Sequence, residues 1–179
     1  MKAALVMIFF AASAFGQEIP VAAAESACGP ADTQFTIKTT DGLQSLRQPE
    51  PGKALVYVIE DQKMSYVRSV TSRVGLDGAW VGANRGNSYL FFSVDPGEHH
   101  LCADWVSDFV AGGRVVALAP LTAEAGKTYY FRARTIAGAS SLGEKLRENG
   151  ASIDLDPVNS DEGKLLVASS ALSVSHPKK

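Results

Sequence analysis

The chain has 179 residues, 46% apolar and 20% charged, long enough to bury a single core and too apolar for extended disorder. A net charge of −2 leaves no electrostatic footprint for nucleic acid or an anionic lipid surface, so neither is expected as a partner.

In chain order, Met1-Lys2 is a minimal positive start and Ala3 to Ala12 an apolar run. Ala14-Phe15-Gly16 sets small residues at −3 and −1 before Gln17, so residues 1–16 read as a signal peptide. The apolar run is too short to span a bilayer, and no transmembrane segment is expected in the mature chain. An exported protein follows, in the periplasm, the cell envelope or the extracellular space. Its two cysteines, Cys28 and Cys102, suit one disulfide in such a compartment. Lipidation of Cys28 is the alternative, although Glu25-Ser26-Ala27 lacks the large apolar residue of a lipobox. Zinc needs closer chelating spacing.

Residues 17–51 read as an arm and linker, irregular and Ala-rich to residue 34, with an edge strand at Phe35–Lys38. Ala54–Ile59 is a continuous apolar run, the mark of a central strand buried on both faces. Glu60–Tyr66 reads as a connection. From Arg73 to Trp105 come four short strands: Asp77-Gly78 predicts a two-residue hairpin, Gly82–Asn87 a longer polar loop, and Asp95-Pro96-Gly97-Glu98 a turn before His99–Trp105. Ser107–Gly113 is a loop, and Pro120 demotes Val115–Leu121 to an edge strand or bulge. In Thr128–Thr135, Tyr129, Phe131 and Ala133 share one face, and Tyr130, Arg132 and Arg134 the other.

The remainder, residues 137–179, reads as an extension with helical content in Glu144–Glu148 and a last strand at Ala151–Leu155. A helix then opens at Ser160 as cap, with a stripe of Leu165, Leu166, Ala168, Ser169 and Leu172, and His176–Lys179 forms a tail. Regular turn signals without βαβ alternation predict a mainly β protein: an antiparallel β-sandwich of Ig-like or prealbumin-like type with a short C-terminal helix. Its core domain is placed at residues 52–136.

Val-Gly-Leu-Asp-Gly-Ala-Trp-Val-Gly, an aromatic strand, and Val-Asp-Pro-Gly-Glu-His-His-Leu together resemble the DUF2846 family of exported bacterial proteins. More distantly they are similar to PEGA-type surface modules. The resemblance covers roughly Gly52 to Arg134 and implies a small envelope β-sandwich of unknown function, some of whose relatives are lipoproteins.

Candidate chemistry is sparse. His99 and His100 are strand neighbours that point to opposite faces, whereas His100, Cys102 and Asp104 share one. His100 and Asp104 are thus the weak metal alternative, and the runner-up function is a small metal-dependent or hydrolytic enzyme built on them. Gly138–Leu142 fails the G-x-S-x-G elbow, and Ser175–Lys178 matches S-x-x-K by letter only. Gly82–Asn87 lacks a phosphate-binding glycine pattern, and Asp154, Asp156, Asp161 and Glu162 lack EF-hand spacing. Tyr130, Arg132 and Arg134, with Arg85, are the candidate partner-binding surface. The resulting expectation is a non-catalytic binding or structural module without a cofactor. Its partner would be a protein or an envelope polymer, and a membrane-tethered lipoprotein is a further alternative.

Overall fold

A computed structural model describes residues 21–42, 45–61, 71–106, 115–137 and 151–178. The signal peptide, the 107–113 loop, the 144–148 helix and the 138–142 segment lie outside these residues.

The fold is mainly β, a sandwich of two sheets. In chain order the elements are α1 (Val21–Cys28), β1 (Phe35–Thr40), β2 (Ala54–Glu60), β3 (Thr71–Leu76), β4 (Ala79–Arg85), β5 (Ser88–Val94) and β6 (Gly97–Val106). There follow β7 (Val115–Ala123), β8 (Thr128–Ala137), β9 (Ala151–Val158), α2 (Ser160–Ala168) and β10 (Ala171–Pro177). The larger sheet runs β1-β10-β5-β2-β8-β9, and the smaller β4-β3-β6-β7. Strands from the arm and from the extension thus complete the same sheet as the core.

Strand β2 is buried along its whole length because both its faces are covered. Val56 and Val58 pack inward against Val74, Leu101, Ala103 and Trp105 of the smaller sheet. On the outer face Tyr57 stacks on Tyr130 at 5.2 Å between ring centres, with Tyr89 and Phe91 beside it. Helix α2 covers this second layer through Val167 and Gly163, the latter close enough to Tyr130 that a Cβ would strike the ring.

The sheets are mixed rather than wholly antiparallel: β2 pairs β8 and β10 pairs β5 in parallel. Parallel neighbours need long crossovers. Here the smaller sheet and α2 provide them, without the local βαβ rhythm that makes such pairing readable. The Asp77-Gly78 hairpin has two residues, both at positive φ (50° and 81°). The expected 82–87 loop is instead strand as far as Arg85, closed by a Gly86-Asn87 turn. Ser160 does not cap α2; Asn159 does, its Oδ1 accepting from the Asp161 and Glu162 N–H groups. The expected stripe also gives way: the helix buries Gly163 and Val167, Leu165 is exposed, and Leu172 belongs to β10. His176 and Pro177 are the end of β10, paired with β1, rather than a tail.

Residues 21–28, read as irregular, form a helix that docks on the outer face of the smaller sheet. Ala24 and Cys28, one turn apart, are its buried side. Cys28 is bonded to Cys102 with Cα atoms 5.2 Å apart. Gly75 lies opposite Cys102, and a Cβ there would collide with the Cys28 carbonyl. Glycine in β3 is therefore a docking requirement. At the sheet edge Ser175 Oγ accepts from Ala83 N and Ser173 Oγ donates to Ala83 O, both at 2.8 Å. These hydroxyls tie β4 to β10 where no backbone ladder joins them.

Candidate functional site

The residues singled out by sequence do not converge. Tyr130 lies beneath α2, 5% exposed, so it is no part of an open strip. Arg132 Nη1 donates to Glu162 Oε1 of α2 at 2.9 Å, and Arg134 Nη2 to Asp156 Oδ2 of β9 at 3.1 Å. Arg85 ends β4 in the other sheet, exposed. Glu162 and Asp156, two of the acids without EF-hand spacing, thus serve as partners to these arginines.

His100 and Asp104 share a face, but four residues of strand separate them by about 13 Å. His100 is exposed, while Asp104 is buried under the segment after α1. Asp104 Oδ2 accepts from Arg73 Nη2, and Arg73 Nη1 donates to Ala31 O and Thr33 O at 2.8 Å. The Trp80 ring lies 4.5 Å from that guanidinium and donates its N–H to Pro30 O. Cys102, third in the expected ligand row, is in the disulfide. The cluster thus anchors the N-terminal segment, and its carboxylate is committed to an arginine. His99 points the other way. Its Nδ1 meets Asp77 Oδ2 at 2.7 Å and its Nε2 meets Asp95 O at 2.8 Å. The Asp77 bond raises the imidazole pKa, outweighing the opposing effect of burial.

A different cluster has the marks of a functional site, at the interior end of the sandwich where β2 stops. Antiparallel partners put their side chains on one face. Ser72 pairs with Asn84 on one side and Trp105 on the other, and Trp105 belongs to the inter-sheet core. Asn84, Ser72 and Trp105 therefore form a row across the inner face of the smaller sheet. The bulge between Val74/Gly75 and β4, which leaves Val81 unpaired, keeps Asn84 inward while turning Trp80 outward over Arg73. Facing the row from β2 is Glu60, in step with Val56 and Val58 and flanked by Ser88 and Ala133. Asn84 Nδ2 donates to Val58 O at 3.0 Å, holding its amide against the Glu60 strand.

Glu60 is fully buried, and Ser72 is the side chain that reaches its carboxyl. Asn84 Oδ1 and Trp105 Nε1 are also buried, with no hydrogen-bond partner among the described residues. Burial pushes the Glu60 carboxyl up to about 8, against a smaller opposing effect of Ser72. At neutral pH it is mainly the uncharged acid. The arrangement can accept or release a proton at a carboxyl set beside the Ser72 hydroxyl. Sequence alone does not mark Glu60, because it follows an apolar run directly and reads as the first residue of a connection. The available signal was its parity with Val56 and Val58.

A scan against protein-family models finds no match to the chain, and a search of curated proteins finds none either.

Proposed function

We propose that the protein is an exported, non-catalytic β-sandwich module of the bacterial cell envelope, similar to the DUF2846 family, that works by binding a protein or an envelope polymer. The Cys28–Cys102 disulfide carries this reading: both sulfurs are buried, and the bond fixes α1 across the central strand of the smaller sheet. Such bonds persist in oxidising compartments. Among the described residues no helix is long and apolar enough to cross a membrane, which fits an exported chain. The commitment of Asp104 to Arg73 weighs against an enzyme built on His100 and Asp104.

Expression of the full chain in a bacterium with an oxidising envelope tests the reading. The expected product is exported, begins at Gln17, and has an intact mass two hydrogens below the dithiol with no lipid added. Retention in the cytoplasm with free thiols, or a lipid mass on Cys28, overturns it. Crosslinking of the mature chain in envelope extract then identifies the bound component.

A further inference from the structure

His99 sits where strands of the two sheets end. In the larger sheet β5 stops at Val94 and the chain leaves through Asp95, while in the smaller sheet Asp77 and Gly78 turn β3 into β4. The imidazole reaches both: Nδ1 is 2.7 Å from Asp77 Oδ2, and Nε2 is 2.8 Å from the Asp95 carbonyl oxygen. A carboxylate oxygen and a carbonyl oxygen are acceptors alone. A neutral imidazole has one N–H and one lone pair, so it serves one of these oxygens and sets its lone pair against the other. The imidazolium donates from both nitrogens.

We infer that His99 is a proton-operated pin between the sheets: protonated, it ties the Asp95 turn to the Asp77-Gly78 hairpin, and neutral, it lets the Asp95 end go. The hairpin is the fixed end. Asp77 Oδ1 accepts from His100 N at 2.8 Å, Asp77 N donates to His100 O at 3.0 Å, and Gly78 N donates to Ala27 O of α1 at 3.1 Å. The turn is the loose end. Asp95 to Glu98 are exposed, and the Asp95 carboxylate meets Lys53 Nζ at 3.4 Å in a surface pair of little strength. The charged and titratable groups around the ring are Asp77 from the hairpin, Asp95 from the turn, Lys53 beside Asp95, and its strand neighbours Glu98 and His100. Glu98 accepts from Thr122 Oγ1 of β7, and the β7 residue opposite His99 is the uncharged Leu121. Burial acts against ionised Asp77, yet the bonds from His99 and His100 hold its carboxyl below the usual range, so the anion persists. The bond to Asp77 lifts the imidazole above its ordinary 6.5. With the folded value above the unfolded one, the pin stabilises fully below pH 6.5 and its contribution is lost as pH climbs through the folded value. Acid closes this end of the sandwich and mild alkali opens it. Glu60 titrates at the other end of β2, since Ala54 pairs with Val94 and Glu60 with Ser88.

Nitrogen NMR of the His99 ring in the oxidised exported protein, followed from about pH 5 to about pH 9, tests the pin. Below the midpoint both ring nitrogens are expected to carry protons, and the midpoint should lie above 6.5. Asp77→Asn should bring the midpoint back toward 6.5, whereas His100→Gln should leave it in place. Hydrogen exchange corrected for its intrinsic pH dependence should show residues 95–98 losing protection above the midpoint, and in His99→Gln that pH dependence should vanish. Should Asp77→Asn fail to fold, the midpoint and the turn exchange of the native chain decide. A native midpoint at or below 6.5, or one unmoved in folded Asp77→Asn, overturns the pin. A raised midpoint with turn exchange constant across it overturns the release.

Discussion

Glu60 and Asp104 are both buried carboxyl groups with opposite predicted responses to substitution. Removing Asp104 leaves the Arg73 guanidinium under the N-terminal segment without its anion. Asp104→Ala is therefore expected to lose about 3–5 kcal/mol of unfolding free energy in urea titration. Glu60 runs the other way. Its folded pKa of about 8 lies above the unfolded value of 4.5, so between those pH values the native state holds a proton the unfolded chain has lost. Stability should fall there as pH rises, by roughly 1.4 kcal/mol per unit from this group alone, and level off above the folded value. Glu60→Gln should flatten that slope and be the more stable protein at pH 8, as read from urea midpoints across pH. Neither outcome was legible from residue type. Strand alternation places Asp104 on the outer face of β6, and the segment after α1, held over that face through Arg73, covers it.

Among elements, two glycines separate propensity from packing. A helix-interior Gly→Ala change ordinarily stabilises by about 1 kcal/mol. Gly163 sits in α2 over Tyr130, where a Cβ would enter the ring. Gly163→Ala is expected to destabilise by about 1–3 kcal/mol instead, with a drop in Tm as the readout. Gly75→Ala should push α1 off β3 and leave a larger free-thiol fraction after refolding, measurable by thiol titration. The hairpin at Asp77-Gly78, the buried run of β2 and the edge placement of β7 at Pro120 were readable because local chemistry decides each. Helix α1 was not. Eight residues are too few to hold a helix alone, and its stability comes from docking Ala24 and Cys28 on a sheet assembled from residues far along the chain. The Asn159 cap was missed by one position because Asn and Ser cap almost equally well.

Across the whole molecule the two-layer β architecture and its sulfur link were legible, since turn spacing and cysteine count act globally. Sheet order was not: β8 beside β2, and β10 between β1 and β5, join segments with no local signal for each other. The disulfide closes a loop across a sequence separation of 74 residues, for which chain entropy gives about 4 kcal/mol. Cys28→Ser/Cys102→Ser should lose up to that amount by urea unfolding. Hydrogen exchange should rise first in residues 21–34, while strands β2 and β8 stay protected.

The place of β10 bears on when this protein can fold. Residues 171–177 fill the slot between β1 and β5, so a nascent chain lacking them has its larger sheet stop at β5. Strand β1 then has no neighbour to zip onto, and the serines that fasten β4 are not yet delivered. Synthesis of these late residues thus works as a timer. Until they are made, β1 cannot join the larger sheet, so the sandwich closes last at that side.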